Sequence, residues 1–340
     1  MVLAAGEGLR MRPLTGERAK PALPLMNRPL LLHVLDLLAR QGIAKAVVNL
    51  HHRPESVRAI LDGPLPRGLQ VATSFEPALL GTGGGIRAAM EHFDREAPLL
   101  VANADSLCDA DLAALAAAYE ENAARHRAPA TLAVKPREEG ETYSAVHLDR
   151  RGDVSGIGDV GETGEPVTFI GLHVLSPEAV ARIPAGAPSD IVRDVYLPAL
   201  REGRRLGAHR HRGWWVEAGT PALYLRIHLR LLRQAAFLGA LPPQCGSPLA
   251  GPGPSWIGPG GDGAGRARIE SSVLGPGCRI GSEVAIVRSV LAAGVTVGSG
   301  ARVEDSVIWE NVAIPGGAAV RGSLMIREVG APGARSVPLS

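Results

Sequence analysis

An α/β domain with a mixed, mostly parallel sheet, followed by a short β-helix, is the architecture this sequence predicts. Two observations predict it. Up to about residue 238 short apolar runs alternate with amphipathic stretches, and beyond residue 255 aliphatic residues recur on a 17-residue period. A Gly/Pro-rich segment, GALPPQCGSPLAGPGP at 239–254, separates the two regimes and reads as a linker. The expected divisions are therefore 1–238, 239–254, 255–326 and a tail, 327–340.

In the first part VLAA precedes the helical pattern PLLLHVLDLLARQG. KAVVNL precedes PESVRAILDG, QVATSF precedes GGGIRAAMEHF, and PLLVANAD precedes ADLAALAAAYEEN. Strands that are apolar almost throughout, each followed by a helix, imply a parallel sheet covered on both faces. TLAVKP, SAVHLD, VTFIGLHVL and WWVEAG follow at closer spacing with antiparallel character, and TPALYLRIHLRLLRQAAFLG reads as one closing helix.

In the second part Ser272, Ser289, Ser306 and Ser323 fall in one column of the repeat. Ile280, Val297 and Ile314 form another column, and Ile286, Val303 and Val320 a third. Ser255-Trp256-Ile257 lies one period upstream, with Ile269 in register. Aliphatic residues five or six apart, with small residues between, mark a hexapeptide-repeat β-helix whose apolar columns stack inward. Trp309 stands where the other coils carry Gly275 and Ala292, a turn position, so its ring should project outward.

Composition narrows the function. Hydrophobic residues make up 46% and charged residues 21%, with net charge +2, which gives no basis for general nucleic-acid binding. Cys108, Cys245 and Cys278 are far apart and form no Cys-x-x-Cys pair, which excludes a disulfide framework or zinc knuckle and suits a reducing cytoplasm. No apolar run is long enough to span a membrane, and MVLAA is too short for a signal-peptide core. The basic residues comprise 33 arginines but only three lysines, Lys20, Lys45 and Lys135.

The loop after the first strand carries the chemistry. In GEGLRMRPLTGERAKP, Gly6 and Gly8 are present, but the third glycine of a dinucleotide fingerprint is replaced by Met11. A Gly-Lys-Ser/Thr phosphate loop is absent. What remains is Arg10, Arg12 and Lys20 beside backbone amides freed by glycines, an arrangement suited to a polyphosphate. Asp105 closes the run LLVANAD at the carboxyl end of a central strand, where α/β sheets bind ligands, while Asp109 or Asp111 is the better helix cap. Glu217 precedes a Gly-Thr-Pro turn. Mg²⁺ needs one or two such carboxylates. His209-x-His211, flanked by Arg210, Arg212 and Gly213, reads as an exposed basic edge rather than a metal pair.

Gly6-Glu7-Gly8-Leu9-Arg10-Met11-Arg12-Pro13-Leu14-Thr15 followed by Lys20-Pro21 resembles the signature of sugar-1-phosphate nucleotidyltransferases, with a Rossmann-like domain. The resemblance continues through Leu80-Gly81-Thr82-Gly83-Gly84-Gly85, Asn103-Ala104-Asp105 and Trp215-Val216-Glu217-Ala218-Gly219-Thr220-Pro221. The hexapeptide tail, read as a left-handed β-helix, matches the mannose-1-phosphate guanylyltransferase branch. The resemblance implies attack of a sugar 1-phosphate on the α-phosphorus of a nucleoside triphosphate, with pyrophosphate leaving. It implies Arg10 and Lys20 on the phosphates, Asp105 and Glu217 on Mg²⁺, and Leu3, Ala4, Ala5, Gly6, Gly8, Gly81, Thr82 and Gly83 at the nucleotide.

On the sugar side it implies Ser144, Gly171 and an arginine such as Arg193 or Arg212 in place of a family lysine missing here. Glu217 replaces the family's usual Asp. No Gln stands near Ser74-Phe75-Glu76-Pro77 to read a pyrimidine, which favours GTP, with mannose 1-phosphate as the favoured acceptor. Phe169-Ile170-Gly171 is closer to the branch that uridylylates N-acetylmuramate 1-phosphate, and another hexose or heptose 1-phosphate is an alternative. A catalytically silent sensor of nucleotide-sugar is a further alternative. An acyltransferase role for the β-helix is disfavoured, because no histidine follows His228. The repeat domain is expected to dock on the first domain, to support a homo-oligomer and to contribute no catalytic group.

Overall fold

A computed structural model describes residues 1–138, 141, 143–161, 164–327 and 333–339. It divides into two compact units. The first is Met1–Glu7, Ala19–Pro21 and Leu31–Val216; the second is Gly8–Arg18, Ala22–Leu30 and Glu217–Ser340.

The first unit is built on a ten-stranded sheet. Gln70–Phe75, Lys45–Leu50, Val2–Leu3 and Leu99–Asn103 lie side by side and parallel. The long strand Glu165–Leu175 then pairs antiparallel with Leu99–Asn103, and also with Ala130–Pro136 and Val146–Leu148. The expected alternation is therefore present, with helices at Leu30–Arg40, Pro54–Leu61, Gly81–Ala88 and Leu112–His126. Val2, Val48, Leu50, Ala102 and Leu172 pack with Leu31, Leu35 and Leu38 on one face. Met1, Val47, Val101 and Leu132 pack with Ile86, Ile191 and Tyr196 on the other. Burial on both faces explains why these strands read as continuous apolar runs.

In the second unit the repeat closes into three sheets, in which each coil strand pairs parallel with the one a full period later. Ser272, Ser289 and Ser306 are fully buried, so each hydroxyl must find partners. Each donates to a carbonyl two residues back and accepts the amide of the next serine, as in Ser289 N to Ser272 Oγ at 3.0 Å. That ladder is the physical cause of the serine column. Gly260, Gly277, Gly294 and Asn311 share a second column in the left-handed region, which only glycine and a few polar residues adopt easily.

Three details differ from the sequence pattern. The closing helix is broken: Pro221–Leu231 is one helix and Ala235–Gly239 another. Ser247–Leu249, within the segment read as a linker, pairs antiparallel with Ser255–Ile257. Of the tail, residues 328–332 and 340 lie outside the described residues, and Ala334–Pro338 folds back antiparallel on Ser323–Arg327.

Candidate active site

The opening loop is held by its own backbone. Gly8 takes a left-handed conformation and starts the 3-10 turn Leu9–Met11. Met11 N bonds Gly8 O at 2.9 Å and the Thr15 hydroxyl donates to the same carbonyl at 2.9 Å. Met11, standing where a third glycine would, is fully buried and anchors the turn. Arg10, by contrast, has 60% of its side chain exposed and lies 3.5 Å from Glu217. Glu217 ends the strand Trp215–Glu217, and Thr220 caps the helix that follows by accepting from Leu223 N at 3.2 Å.

Lys20 opens the 3-10 turn Lys20–Ala22, and its ammonium donates to Asp105 Oδ2. Asp105 follows the strand Leu99–Asn103, and the cap of the next helix is Asp111, which accepts from Ala114 N. Asp105 is therefore not consumed by capping. Gly171 sits in a register shift of its strand with φ 79°, and a Cβ there would lie 2.9 Å from Asn103 Nδ2 and Ser106 Oγ. Only glycine lets that strand approach the two residues flanking Ala104-Asp105 so closely.

The two glycine stretches differ in what their missing side chains spare. At Gly6 a Cβ would meet nothing within 4 Å. At Gly83 it would meet Ser189 Oγ at 2.7 Å, and at Gly85 both Asn49 Nδ2 and Glu76 Oε1 at 2.6 Å. Gly83 N and Gly84 N donate to Ser189 O at 2.8 and 3.1 Å. The Thr82 hydroxyl donates to Asp190 Oδ2 and accepts from Ile191 N. Gly83, Gly84 and the Thr82 side chain are thus tied into the protein.

Behind them lies a network that sequence reasoning missed. Fully buried Glu76 accepts from Asn49 Nδ2 at 2.7 Å and from Leu80 N at 2.9 Å, while Asn49 Oδ1 accepts from Ala4 N at 2.6 Å. It links the backbone at Ala4 to the start of the glycine stretch; Ala4 and its neighbour Ala5 are both buried, and Leu3 is half-buried. Its one mark in the sequence is Glu76 itself, an acidic residue in the stretch Ser74-Phe75-Glu76-Pro77 that lacks a pyrimidine-reading Gln.

Of the sugar-side residues, Ser144 is exposed, and Arg193 forms two hydrogen bonds to Asp194 at 2.6 and 2.7 Å. Lys135 is buried, with Nζ 2.5 Å from Glu141 Oε1 and 5.4 Å from the centroid of the Trp215 ring. The exposed edge expected around His209–His211 is present at Arg210, Arg212 and Gly213, and His211 departs from it. His211 is buried, its Nε2 lying 3.1 Å from Trp214 O and 3.3 Å from Asp109 Oδ1.

Asp105 and Glu217 supply the hard oxygen donors that Mg²⁺ prefers, and each already faces a cationic side chain. Among the described residues no cluster of three or more His, Cys, Asp or Glu side chains could hold a metal ion. Mg²⁺ takes one or two protein carboxylates, so either side chain is by its chemistry suited to that ion. Among the described residues no helix is long and apolar enough to cross a membrane.

Comparison with known proteins decides the family. Residues 1–234 match the nucleotidyl transferase family. The chain belongs to that family. Residues 259–335 match the GlmU-like C-terminal hexapeptide family, in keeping with a left-handed β-helix. The chain is 30% identical over 245 residues to a mannose-1-phosphate guanyltransferase of Schizosaccharomyces pombe, covering 69% of this chain and 65% of that relative. It is also 30% identical over 240 residues to a mannose-1-phosphate guanylyltransferase of Mycobacterium tuberculosis, with the same coverage. An N-acetylmuramate alpha-1-phosphate uridylyltransferase of Caulobacter vibrioides is 33% identical over 244 residues, 68% of this chain and 96% of the relative. Among solved structures, HddC from Yersinia pseudotuberculosis shares the fold at a TM-score of 0.56 and 21% identity, covering 68% of this chain and 97% of HddC.

Proposed function

We propose that this protein transfers a nucleotidyl group from a nucleoside triphosphate, GTP favoured, to a sugar 1-phosphate, mannose 1-phosphate favoured. Pyrophosphate and an NDP-sugar are the products. One observation carries the reading: Lys20 pairs with Asp105, and Arg10 with Glu217. A magnesium–nucleotide brings both complementary charges, a cation for the carboxylates and anions for the two bases. Each pair sets a cation against a carboxylate, so such a ligand can exchange for the partner within a pair with little net loss of charge pairing.

In this reading Arg10 and Lys20 hold the phosphates. As the acceptor's phosphate oxygen bonds to the α-phosphorus, the bond to the β-phosphate bridging oxygen breaks, and the two residues offset the charge that develops. The backbone of Leu3–Gly6, with Gly8 and Gly81–Gly83, borders the nucleotide; the open space over Gly6 leaves room for it. Ser144, Gly171 and Arg193 are proposed for the sugar side. Asp105 and Glu217 are each proposed as a ligand of Mg²⁺, which when bound supplies charge neutralisation at the phosphate oxygens.

Uridylyl transfer to N-acetylmuramate 1-phosphate is the second reading, supported by the relative that matches almost end to end. The test is pyrophosphate release from each NTP paired with each of several sugar 1-phosphates in Mg²⁺. Fastest release with GTP and mannose 1-phosphate supports the first reading, and with UTP and N-acetylmuramate 1-phosphate the second. No release from any pair overturns both and leaves a nucleotide-sugar sensor. A homo-oligomer in a cytoplasmic setting is also proposed; a monomer at micromolar concentration by light scattering contradicts the assembly.

A further inference from the structure

The β-helix repeat is broken at one corner. Where two coils carry Gly275-Pro276 and Ala292-Ala293, the next carries Trp309-Glu310. Nothing in the stacking of coils calls for a large ring and a carboxylate there. Their partners lie elsewhere in the second compact unit. Glu310 Oε2 accepts from Arg18 Nη2 at 2.5 Å, and the Arg18 guanidinium lies over the Trp309 ring, 5.7 Å from its centroid. Trp309 projects outward from its coil, as the repeat predicts, but it is buried, its ring meeting Tyr224 edge-on at 6.4 Å.

The grip extends along the opening segment. The Tyr224 hydroxyl donates to Pro24 O, His228 Nε2 accepts from Met26 N at 3.2 Å, and Asn27 Nδ2 donates to Leu274 O at 3.0 Å. The chain is thus fastened at Arg18 on one side of Lys20 and at Pro24–Asn27 on the other. A guanidinium held between a carboxylate and an indole face loses much of its rotational freedom, and charge-assisted bonds of this kind are directional.

We propose that Glu310 and Trp309 are positioning residues for nucleotidyl transfer. Through Arg18 they fix the Gly8–Arg18 loop in the shape that receives the triphosphate. The proposal rests on reading that loop as the phosphate-binding loop. It replaces the expectation that the repeat domain only docks and assembles: the β-helix becomes part of the machinery that orders the site.

The test uses the full-length protein and the variants Glu310→Gln and Arg18→Glu/Glu310→Arg, with two readouts. In Glu310→Gln, amide hydrogen exchange within 8–18 should accelerate at least about tenfold, while exchange in Lys45–Leu50 and in the coil strand Arg302–Glu304 stays unchanged. The KM for NTP should rise about five- to tenfold with KM for the sugar phosphate unchanged, and the charge swap should restore both readouts to within about threefold. Unchanged exchange within 8–18 overturns the proposal. So does equal loosening across all three segments, or a KM that does not move. Exchange is read without turnover, so a wild-type protein that releases no pyrophosphate refutes the transfer reading itself and is distinguished from failure of the clamp.

Discussion

The ammonium of Lys20 donates to Oδ2 of Asp105, joining two residues 85 positions apart in the sequence. The Lys20 side chain is 11% exposed and that of Asp105 25%, so the pair is mostly shielded yet open to an incoming ligand. In a chain with 33 arginines, a lysine kept at this position points to the need for a compact point charge.

Lys20→Ala should lower turnover by roughly two to three orders of magnitude, the typical effect of losing one charge-stabilising donor. The thermal midpoint should change little. Steady-state rates and a melting curve on the same preparation check this; turnover within a factor of about three of wild type removes Lys20 from the site.

Asp105→Ala and Glu217→Ala should each abolish Mg²⁺-dependent turnover, whereas Glu217→Asp should be tolerated, since Mg²⁺ accepts either carboxylate. Mg²⁺ titration of the rate reads this out. Retained metal dependence in Glu217→Ala excludes Glu217 from the metal set.

Gly6→Ala and Gly85→Ala should separate function from folding. The added methyl at Gly6 meets no protein atom, so stability should hold within about 0.5 kcal/mol while the KM for NTP rises about tenfold or more. At Gly85 it collides with Asn49 and Glu76, and overpacking there should cost about 1–3 kcal/mol. Equal stability for the two variants contradicts this division.

Acid sensitivity should track buried histidines. Burial lowers the pKa of His228 from 6.5 to about 4, opposed by the bond to Tyr224 O, and that of His173 from 6.5 to about 3. The unfolded chain binds these protons first. The stability from neutral His228 is therefore complete above about pH 6.5 and is lost as pH falls toward 4, by roughly 3 kcal/mol if the full shift is realised. Protonation also removes the acceptor for Met26 N. Denaturant unfolding from pH 7 to 4 should show a shallower decline in His228→Gln; an identical slope rules His228 out.

Much of this was legible in the sequence because it repeats or alternates. The serine column foretold the coils, and the apolar runs foretold a sheet buried on both faces. What escaped depends on tertiary partners. Glu76 reads as a surface acid until Asn49 and Leu80 N are seen around it. The helical segment from Val192 to Arg201 escaped because it begins as a π-helix and carries Pro198 near its middle. The break between Leu231 and Ala235 has no marker in the apolar pattern. The outward direction of Trp309 was readable from the repeat, but its clamp on Arg18 was not.

The account's central claim is tested most directly by following one reaction to stoichiometry. Protein, Mg²⁺, GTP and mannose 1-phosphate are incubated, and phosphorus NMR follows every phosphate species. The account predicts one pyrophosphate for each NDP-sugar formed, with the reaction lost in Lys20→Ala and on chelation of Mg²⁺. Undiminished GTP and sugar 1-phosphate, repeated with every other NTP and acceptor offered, would contradict it.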